Sequence, residues 1–351
     1  MPGGAEEAWK VIEQQQRNAD AKVEQAKLEL ARGLSEQQRL IQQRSQWFGK
    51  METAIESFKM QHLNDSVSHY YEILTKAAPT NWDYLIAAGR FEEDYMADYN
   101  RAMNYQLSAL NTTDNDTYKA TSYIIIGGIY EKLDDYSKAL DYFKKSLKLD
   151  LSFFGENHPS VASGYYNIGY VYFAQGDYSK ALEYFEEVLK IRLSVYGENH
   201  SRVASVYNDI GEIYSVQGDD FKALDYFKKS LKIVLSVYGE NHSQVSSIYD
   251  HIGEIYFAQK DYSKALYYFE ESLKIRLSLF GENHPEVALS YYSIGSLYII
   301  QGDKSKALNY YEKSLKIRLS VYGENHPLTK EIMDLINVAN SKVLQSPETT
   351  K

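Results

Sequence analysis

Residues 178–200 read YSKALEYFEEVLKIRLSVYGENH, and close copies of this stretch recur along the chain at a spacing of 42 residues. The letters Gly-Glu-Asn-His mark each copy, beginning at Gly155, Gly197, Gly239, Gly281 and Gly323 without insertion or deletion. Self-similarity with a period of about 20–50 residues is the signature of stacked repeat architectures. The sequence therefore predicts a solenoid of repeated units.

Each repeat reads as two helices joined by short turns. Between Val161 and Gln175 the apolar residues recur with helical spacing, and Gly176 is expected to end this first helix in the left-handed conformation. Asp177 is the expected N-cap of a second helix over Tyr178–Tyr196, which Gly197 ends in the same manner. A single pair cannot bury its apolar face, so neighbouring pairs must stack.

Five of the eight histidines stand in the Gly-Glu-Asn-His turns, at His158, His200, His242, His284 and His326. A ladder of metal sites is one interpretation of this pattern. Packed helices lie about 8–10 Å apart, whereas zinc–histidine bonds are about 2.0–2.1 Å long, so neighbouring units cannot share an ion. We therefore expect these histidines to cap the starts of the first helices.

The repeat boundaries and the composition outside them divide the chain into six segments. The expected segments are disordered residues 1–4, a long helix over 5–46, degenerate helix pairs over 47–112, five 42-residue units over 113–326, a capping helix over 327–345 and a tail over 346–351. Residues 5–46 are rich in Gln, Glu and Ala and carry a 3–4 apolar spacing. They form either a coiled coil that makes a homodimer or a solvated helix that folds back on the first repeats.

The composition is that of a folded, acidic protein without thiol chemistry. The chain is 44% hydrophobic and has a net charge of −10, without the basic surface typical of nucleic-acid binders. It has no cysteine, and no phosphate-loop or zinc-protease motif is present. The first residues show no signal-peptide pattern, and no apolar run reaches the roughly 20 residues of a membrane helix. We expect a cytoplasmic protein that uses no cofactor or metal and binds neither nucleic acid nor membrane.

The repeat resembles the tetratricopeptide repeat, and its 42-residue form with the Gly-Glu-Asn-His-Pro turn is similar to that of the kinesin light chains. The close-packed glycine of that pattern stands at Gly127, Gly169, Gly211, Gly253 and Gly295. The small residue at the helix crossing is Ala139, Ala181, Ala223, Ala265 and Ala307, and the ring four residues later is Phe143, Phe185, Phe227, Phe269 and Tyr311. The paired asparagines of the kinesin light chains are not kept. The resemblance implies an all-α, right-handed superhelical solenoid, here preceded by the long N-terminal helix.

In the tetratricopeptide family the first helices line a concave groove in which ligands bind. The register around each packed glycine places fourteen residues there: Tyr166, Asn167, Tyr170, Phe173, Asn208, Asp209, Glu212, Asp250, His251, Glu254, Phe257, Tyr292, Ser293 and Ser296. This set has four carboxylates at its centre, aromatic rings at its flanks and no lysine or arginine. Such a surface favours a peptide with basic residues between apolar anchors. The alternative, that these side chains only solvate a helix face, stays open.

Three functions are compatible with this architecture. The first is a non-catalytic scaffold or adaptor that binds a peptide or protein in the groove. The second is a regulatory or sensor subunit that controls an enzyme, a receptor or a defence partner through its repeats. The third, an enzyme within the upstream 115 residues, is disfavoured because that segment has few clustered His, Asp and Glu residues.

Overall fold

The computed structural model describes residues 41–57 and 64–341, together with residues 25, 39 and 59. Every regular element within them is a helix, which confirms the predicted all-α class. The segments predicted at 1–4 and 346–351 lie outside the described residues. So does the long helix at 5–46, except for residues 25, 39 and 41–46, which are helical. Among the described helices, none combines the length and apolarity needed to cross a bilayer.

The chain divides into two compact units, Met1–Ile129 and Tyr130–Lys351. The first unit contains α1 (41–57), α2 (Asn64–Ala77), α3 (Trp82–Phe91), α4 (Tyr99–Asn111) and most of α5 (Asp116–Lys132). One of its core clusters contains apolar side chains of α2 and α3, including Val67 and Leu74 on α2 and Phe91 on α3. Apolar burial of this kind is the main stabilising contribution to the unit.

A π-helical turn over Glu92–Met96 follows α3 and ends at Ala97, whose φ is 52°. Within the segment predicted to form degenerate helix pairs, α3 is therefore α-helical only as far as Phe91. The π turn brings the Glu92 carboxylate inside the unit, where it accepts a 2.6 Å hydrogen bond from Ser68 and pairs with Arg101 at 3.3 Å. These partners offset the cost of burying a charge.

The second unit is a stack of antiparallel helix pairs. Its complete helices are α6 (Tyr136–Phe154), α7 (Pro159–Ala174), α8 (Tyr178–Tyr196), α9 (Ser201–Val216), α10 (Asp220–Tyr238), α11 (Ser243–Ala258), α12 (Tyr262–Phe280), α13 (Pro285–Ile300), α14 (Lys304–Tyr322) and α15 (Pro327–Ser341). From α7 onward the first and second helices of each repeat pack extensively together, and each second helix from α6 onward also contacts the first helix of the next repeat. This arrangement confirms the predicted solenoid.

The turns between helices use the residues that the sequence singled out. Asp177 caps α8 by accepting a hydrogen bond from the Lys180 amide, as predicted, and Gly176 has a φ of 76°. Gly197 differs from the prediction, because its φ of 78° and ψ of 169° place it in the extended positive-φ region and not in the left-handed helical region. Only glycine adopts that region readily.

The glycines of the first helices pack against the rings of the second helices. A β-carbon added at Gly253 would lie 2.8 Å from Cε1 of Phe269, whereas one at Gly169 would lie 3.1 Å from Cβ of Tyr184. The close packing predicted from the sequence is thus confirmed at Gly169, Gly211, Gly253 and Gly295, and it is tighter at Gly253 than at Gly169. The cause is that ring atoms of Phe269 are the nearest atoms at Gly253, whereas the nearest atom at Gly169 is Cβ of Tyr184.

We expect Gly253→Ala to lower the free energy of unfolding by about 1–3 kcal/mol, because the methyl group overpacks this crossing. The higher helix propensity of alanine, worth about 1 kcal/mol, offsets only part of that cost. Urea denaturation measures the change, and Gly169→Ala is the matched control with a smaller expected loss. Equal losses at both positions would contradict the packing explanation.

Candidate peptide-binding surface

The fourteen residues predicted to line the groove lie on α7, α9, α11 and α13, and we call them the first-helix surface. They stand at equivalent positions of four successive repeats. Tyr170 and Glu254 are the exposed members, and the other twelve are half-buried between neighbouring helices. Most of the predicted residues therefore contact the stack as well as solvent.

The aromatic members differ in how far they are available to a partner. Tyr170 is 44% exposed and lies 6.4 Å from the ring of Phe173, which also contacts Tyr178. Tyr166 is held edge-on to Phe185 at 5.3 Å. Tyr170 is thus the ring of α7 that is best placed to contact a bound chain.

At the α13 end the predicted residues are engaged inside the unit. The Tyr292 hydroxyl donates to Glu331 at 3.1 Å, and the Tyr311 hydroxyl donates to Ser296 at 3.2 Å. Ser293 is half-buried, as is Asn167 at the equivalent position of α7. This end of the surface is therefore more structural than the centre.

Arg276 of α12 reaches between α11 and α13 and neutralises one of the predicted carboxylates. Its Nη2 atom lies 2.7 Å from Asp250 and 2.9 Å from Glu286, and its Nη1 atom donates to Ser290 at 2.8 Å. Burial raises the pKa of Asp250 to about 6, although the charge of Arg276 acts in the opposite direction. Asp250 is therefore a partner of this buried arginine and is less available to a ligand than the sequence predicted.

The arginines of the second helices were missed because only first-helix positions were considered as groove lining. Arg192 lies over the ring of Tyr166 at 5.5 Å, and Arg318 lies over Tyr292 at 5.1 Å. A signal for them exists in the sequence, since Lys-Ile-Arg recurs at residues 190–192, 274–276 and 316–318. Arginine stems pack on apolar surface while their guanidinium groups pair with carboxylates and rings.

Asp209 lies at the centre of the first-helix surface in an unusual environment. Burial raises its pKa to about 7, and the neighbouring charge of Glu212 adds to the rise. Arg192, a hydrogen bond with Tyr166 and the charge of His251 act in the opposite direction without cancelling it. This carboxyl group is therefore protonated in part of the molecules at neutral pH.

His251 is held against the core and is not a free acid–base group. Its ring stacks on Phe227 at 5.1 Å with an interplanar angle of 5°, and its Nδ1 atom lies 3.9 Å from Glu254. Across the described residues, no three His, Cys, Asp or Glu side chains come together in a way that could hold a metal ion. The centre of the surface thus offers carboxylates and rings for binding.

A pocket of about 280 Å³ opens between α9 and α11, and we call it the acceptor pocket. Its lining includes Tyr166, Asn208, Asp209, Val234, Gln244 and Ile248. Three oxygens here, Asn208 Oδ1, Asp209 Oδ2 and Gln244 Oε1, are buried and have no hydrogen-bond partner among the described residues. Buried polar atoms are nearly always paired in proteins, so these oxygens suit a ligand that donates hydrogen bonds.

The histidines of the Gly-Glu-Asn-His turns cap the first helices, which confirms the prediction. Nδ1 of His158 accepts a 3.1 Å hydrogen bond from the Ser160 amide, and the other four accept equivalent bonds at 3.1–3.2 Å. Each ring also stacks on the aromatic residue four positions earlier, as His158 does on Phe154 at 4.0 Å. The histidines therefore have a structural role on the turns.

Many solved structures share this fold, and three of them show how low the sequence identity is. BtubC (BKLC) from P. vanneervenii has a TM-score of 0.55 and 22% identity over 67% of this chain and 93% of its own. A tetratricopeptide repeat protein from Parabacteroides merdae has a TM-score of 0.56 and 15% identity over 82% and 98%. A kinesin-light-chain-type protein of nearly identical TPR-like repeats from Podosopora anserina has a TM-score of 0.51 and 16% identity over 60% of this chain and 99% of its own.

No curated protein is significantly similar to this sequence. The family profile described as "Tetratricopeptide repeat" matches four overlapping segments, at residues 118–194, 160–236, 202–278 and 244–320. These segments cover more than half of the chain and run from α5 to α14. The chain therefore belongs to the tetratricopeptide repeat family.

Proposed function

We propose that this protein is a non-catalytic scaffold whose first-helix surface binds a peptide or protein segment with basic and apolar side chains. Tetratricopeptide repeat proteins generally act as protein-interaction scaffolds. The observation that carries the proposal is that three predicted residues, Tyr166, Asn208 and Asp209, line one pocket with unpaired acceptor oxygens. The exposed Tyr170 of α7 and Glu254 of α11 supply an apolar anchor and a negative charge on the same first-helix surface.

A cytoplasmic location and a homodimer through residues 5–46 are further parts of this proposal. The cysteine-free sequence supports a reducing compartment. Sedimentation of the chain with and without residues 1–46 tests the dimer. If the chain sediments as a monomer both with and without these residues, the homodimer is contradicted.

Peptide display on the immobilised full chain tests the binding function. We expect selection of peptides with a basic centre and flanking apolar residues. The double variant Glu212→Lys/Glu254→Lys should bind them at least about tenfold more weakly, because each lost charge-assisted contact is worth about 1.5–3 kcal/mol.

The matched control is Glu186→Lys/Glu270→Lys, which makes the same charge change at exposed positions of the second helices. This control should retain affinity. Unchanged binding by the first-helix variant, or equal losses in both variants, would show that the ligand does not lie on the first-helix surface.

A further inference from the structure

At one position of the repeat, the residue that lines the acceptor pocket differs from the residue in the other repeats. The third residue of the Lys-Ile-Arg triplet is arginine at 192, 276 and 318, but the equivalent residue in α10 is Val234. Val234 is 1% exposed and lines the pocket. The pocket thus lies where the other complete repeats of this unit from α7 onward carry an arginine.

Arg276 shows what a side chain at this position contacts. It meets Asp250 on the first helix of its own repeat, and Glu286 and Ser290 on the first helix of the next repeat. Its side chain is only 5% exposed, so the guanidinium group fills the space between α11 and α13. In this repeat the protein itself supplies the cation.

The same three places in the preceding repeat are Asn208, Gln244 and Ile248, each 42 residues earlier. All three line the acceptor pocket, and the Asn208 and Gln244 side chains carry two of its three unpaired oxygens. The third unpaired oxygen belongs to Asp209, next to Asn208. Because Val234 has no donor group, the oxygens of Asn208 and Gln244 stay unpaired at the place where the next repeat has the guanidinium group of Arg276.

We infer that the acceptor pocket binds the guanidinium group of an arginine side chain from a partner peptide, in the place that Arg276 fills in the following repeat. This inference rests on the proposed peptide-binding function and names the residue that the surface selects. A guanidinium group is planar, carries five donors and is weakly hydrated, which suits several fixed acceptor oxygens better than an ammonium group does. Asp209 supplies the negative charge that pairs with it.

The size of the pocket agrees with one side chain. Its volume of about 280 Å³ lies just below the range of about 300–1,000 Å³ that is typical of sites for whole small molecules. Val234 and Ile248 provide apolar walls for the methylene stem. A single arginine, held by its stem and its guanidinium group, therefore matches both the polar and the apolar lining.

The inference also predicts a pH dependence of binding. Tyr166, Arg192, Glu212 and His251 are the titratable and charged groups that act on Asp209 from α7, α8, α9 and α11. Because the pKa of Asp209 is about 7 in the free protein, a cation that needs the ionised carboxylate should bind roughly tenfold more weakly at about pH 6 than at about pH 8.

The test uses N-acetylarginine amide as the probe on the full chain, with N-acetylcitrulline amide as its uncharged counterpart and N-acetyllysine amide as the alternative cation. Chemical-shift titration measures each affinity. We expect saturable binding of the arginine probe alone, and at least about a tenfold loss in Val234→Arg, whose own guanidinium group would occupy the pocket. Val237→Arg adds the same charge at an exposed position of the same helix and should bind as the unchanged chain does.

Asp209→Asn keeps the shape of the pocket and should also lose about tenfold, so the inference can be tested even if Val234→Arg does not fold. Equal binding of the citrulline or lysine probe, or full affinity in both pocket variants, would overturn it. The peptides from the display experiment separate this inference from the proposed function. Suppose that the selected peptides lose affinity in the Glu212→Lys/Glu254→Lys variant but bind Val234→Arg with unchanged affinity. This result would support the scaffold function and contradict the arginine pocket.

Discussion

Arg276→Met is expected to lower the free energy of unfolding by about 3–5 kcal/mol near neutral pH, the loss typical of a buried ion pair with one partner removed. The side chain of Arg276 is 5% exposed and contacts both Asp250 and Glu286. Methionine fills similar space but leaves the half-buried Asp250 carboxylate without its cation. The cost therefore comes from an uncompensated charge more than from lost packing.

The loss should be smaller at pH 5, and this separates the charge effect from packing. Burial raises the pKa of Asp250 to about 6 even beside Arg276, and removal of the arginine must raise it further. Below that pKa the carboxyl group is neutral and needs no counter-ion. Urea denaturation at pH 5 and pH 8 measures both values.

Arg192→Met is the matched control for this prediction. Arg192 donates to the Arg202 carbonyl at 2.9 Å and lies over Tyr166, and it forms no salt bridge among the described residues, although the charge of Asp209 acts on it. We expect a loss of about 1–2 kcal/mol there, the size of one cation–π contact and one hydrogen bond. A loss at Arg276 that is equally small and independent of pH would contradict the buried-pair explanation.

Asp209→Asn is expected to stabilise the protein at pH 8 by about 2–4 kcal/mol. The folded-state pKa of Asp209 is about 7, well above its value of about 3.9 in an unfolded chain. The folded state therefore binds a proton that the unfolded state does not bind between these two values. The contribution of Asp209 to the free energy of unfolding is greatest below about pH 4 and falls as the pH rises towards 7.

The substitution removes this penalty, so the difference between the variant and the unchanged chain should grow from pH 5 to pH 8. Thermal or urea denaturation across that range measures the difference. Asp225→Asn, at an exposed carboxylate paired with Lys229 at 2.7 Å, is the control and should change stability by less than about 1 kcal/mol. A pH-independent effect at Asp209 would mean that its carboxyl group titrates normally.

Local features of the fold could be predicted because each rests on interactions within a few residues. The glycine turns, the aspartate N-caps and the histidine caps all appear in the sequence at fixed spacing, as at Gly176, Asp177 and His158. The stacking of helix pairs followed from the exact repetition of apolar positions. The π-helical turn after Phe91 has no such signal, because it depends on burial of Glu92 beside Ser68 and Arg101.

The positions of the first-helix surface were readable from the repeat register, but their chemical states were not. The sequence by itself determined that equivalent places on the first helices carry carboxylates on α9 and α11 and aromatic rings on α7, α11 and α13. Only the tertiary structure decided that Asp250 is neutralised by Arg276 of another helix and that Asp209 is buried with an unpaired oxygen. The reason is that pairing and burial depend on residues far apart in the sequence: Arg276 and Asp250 are 26 residues apart, and Tyr166 and Asp209, which line one pocket, are 43 residues apart.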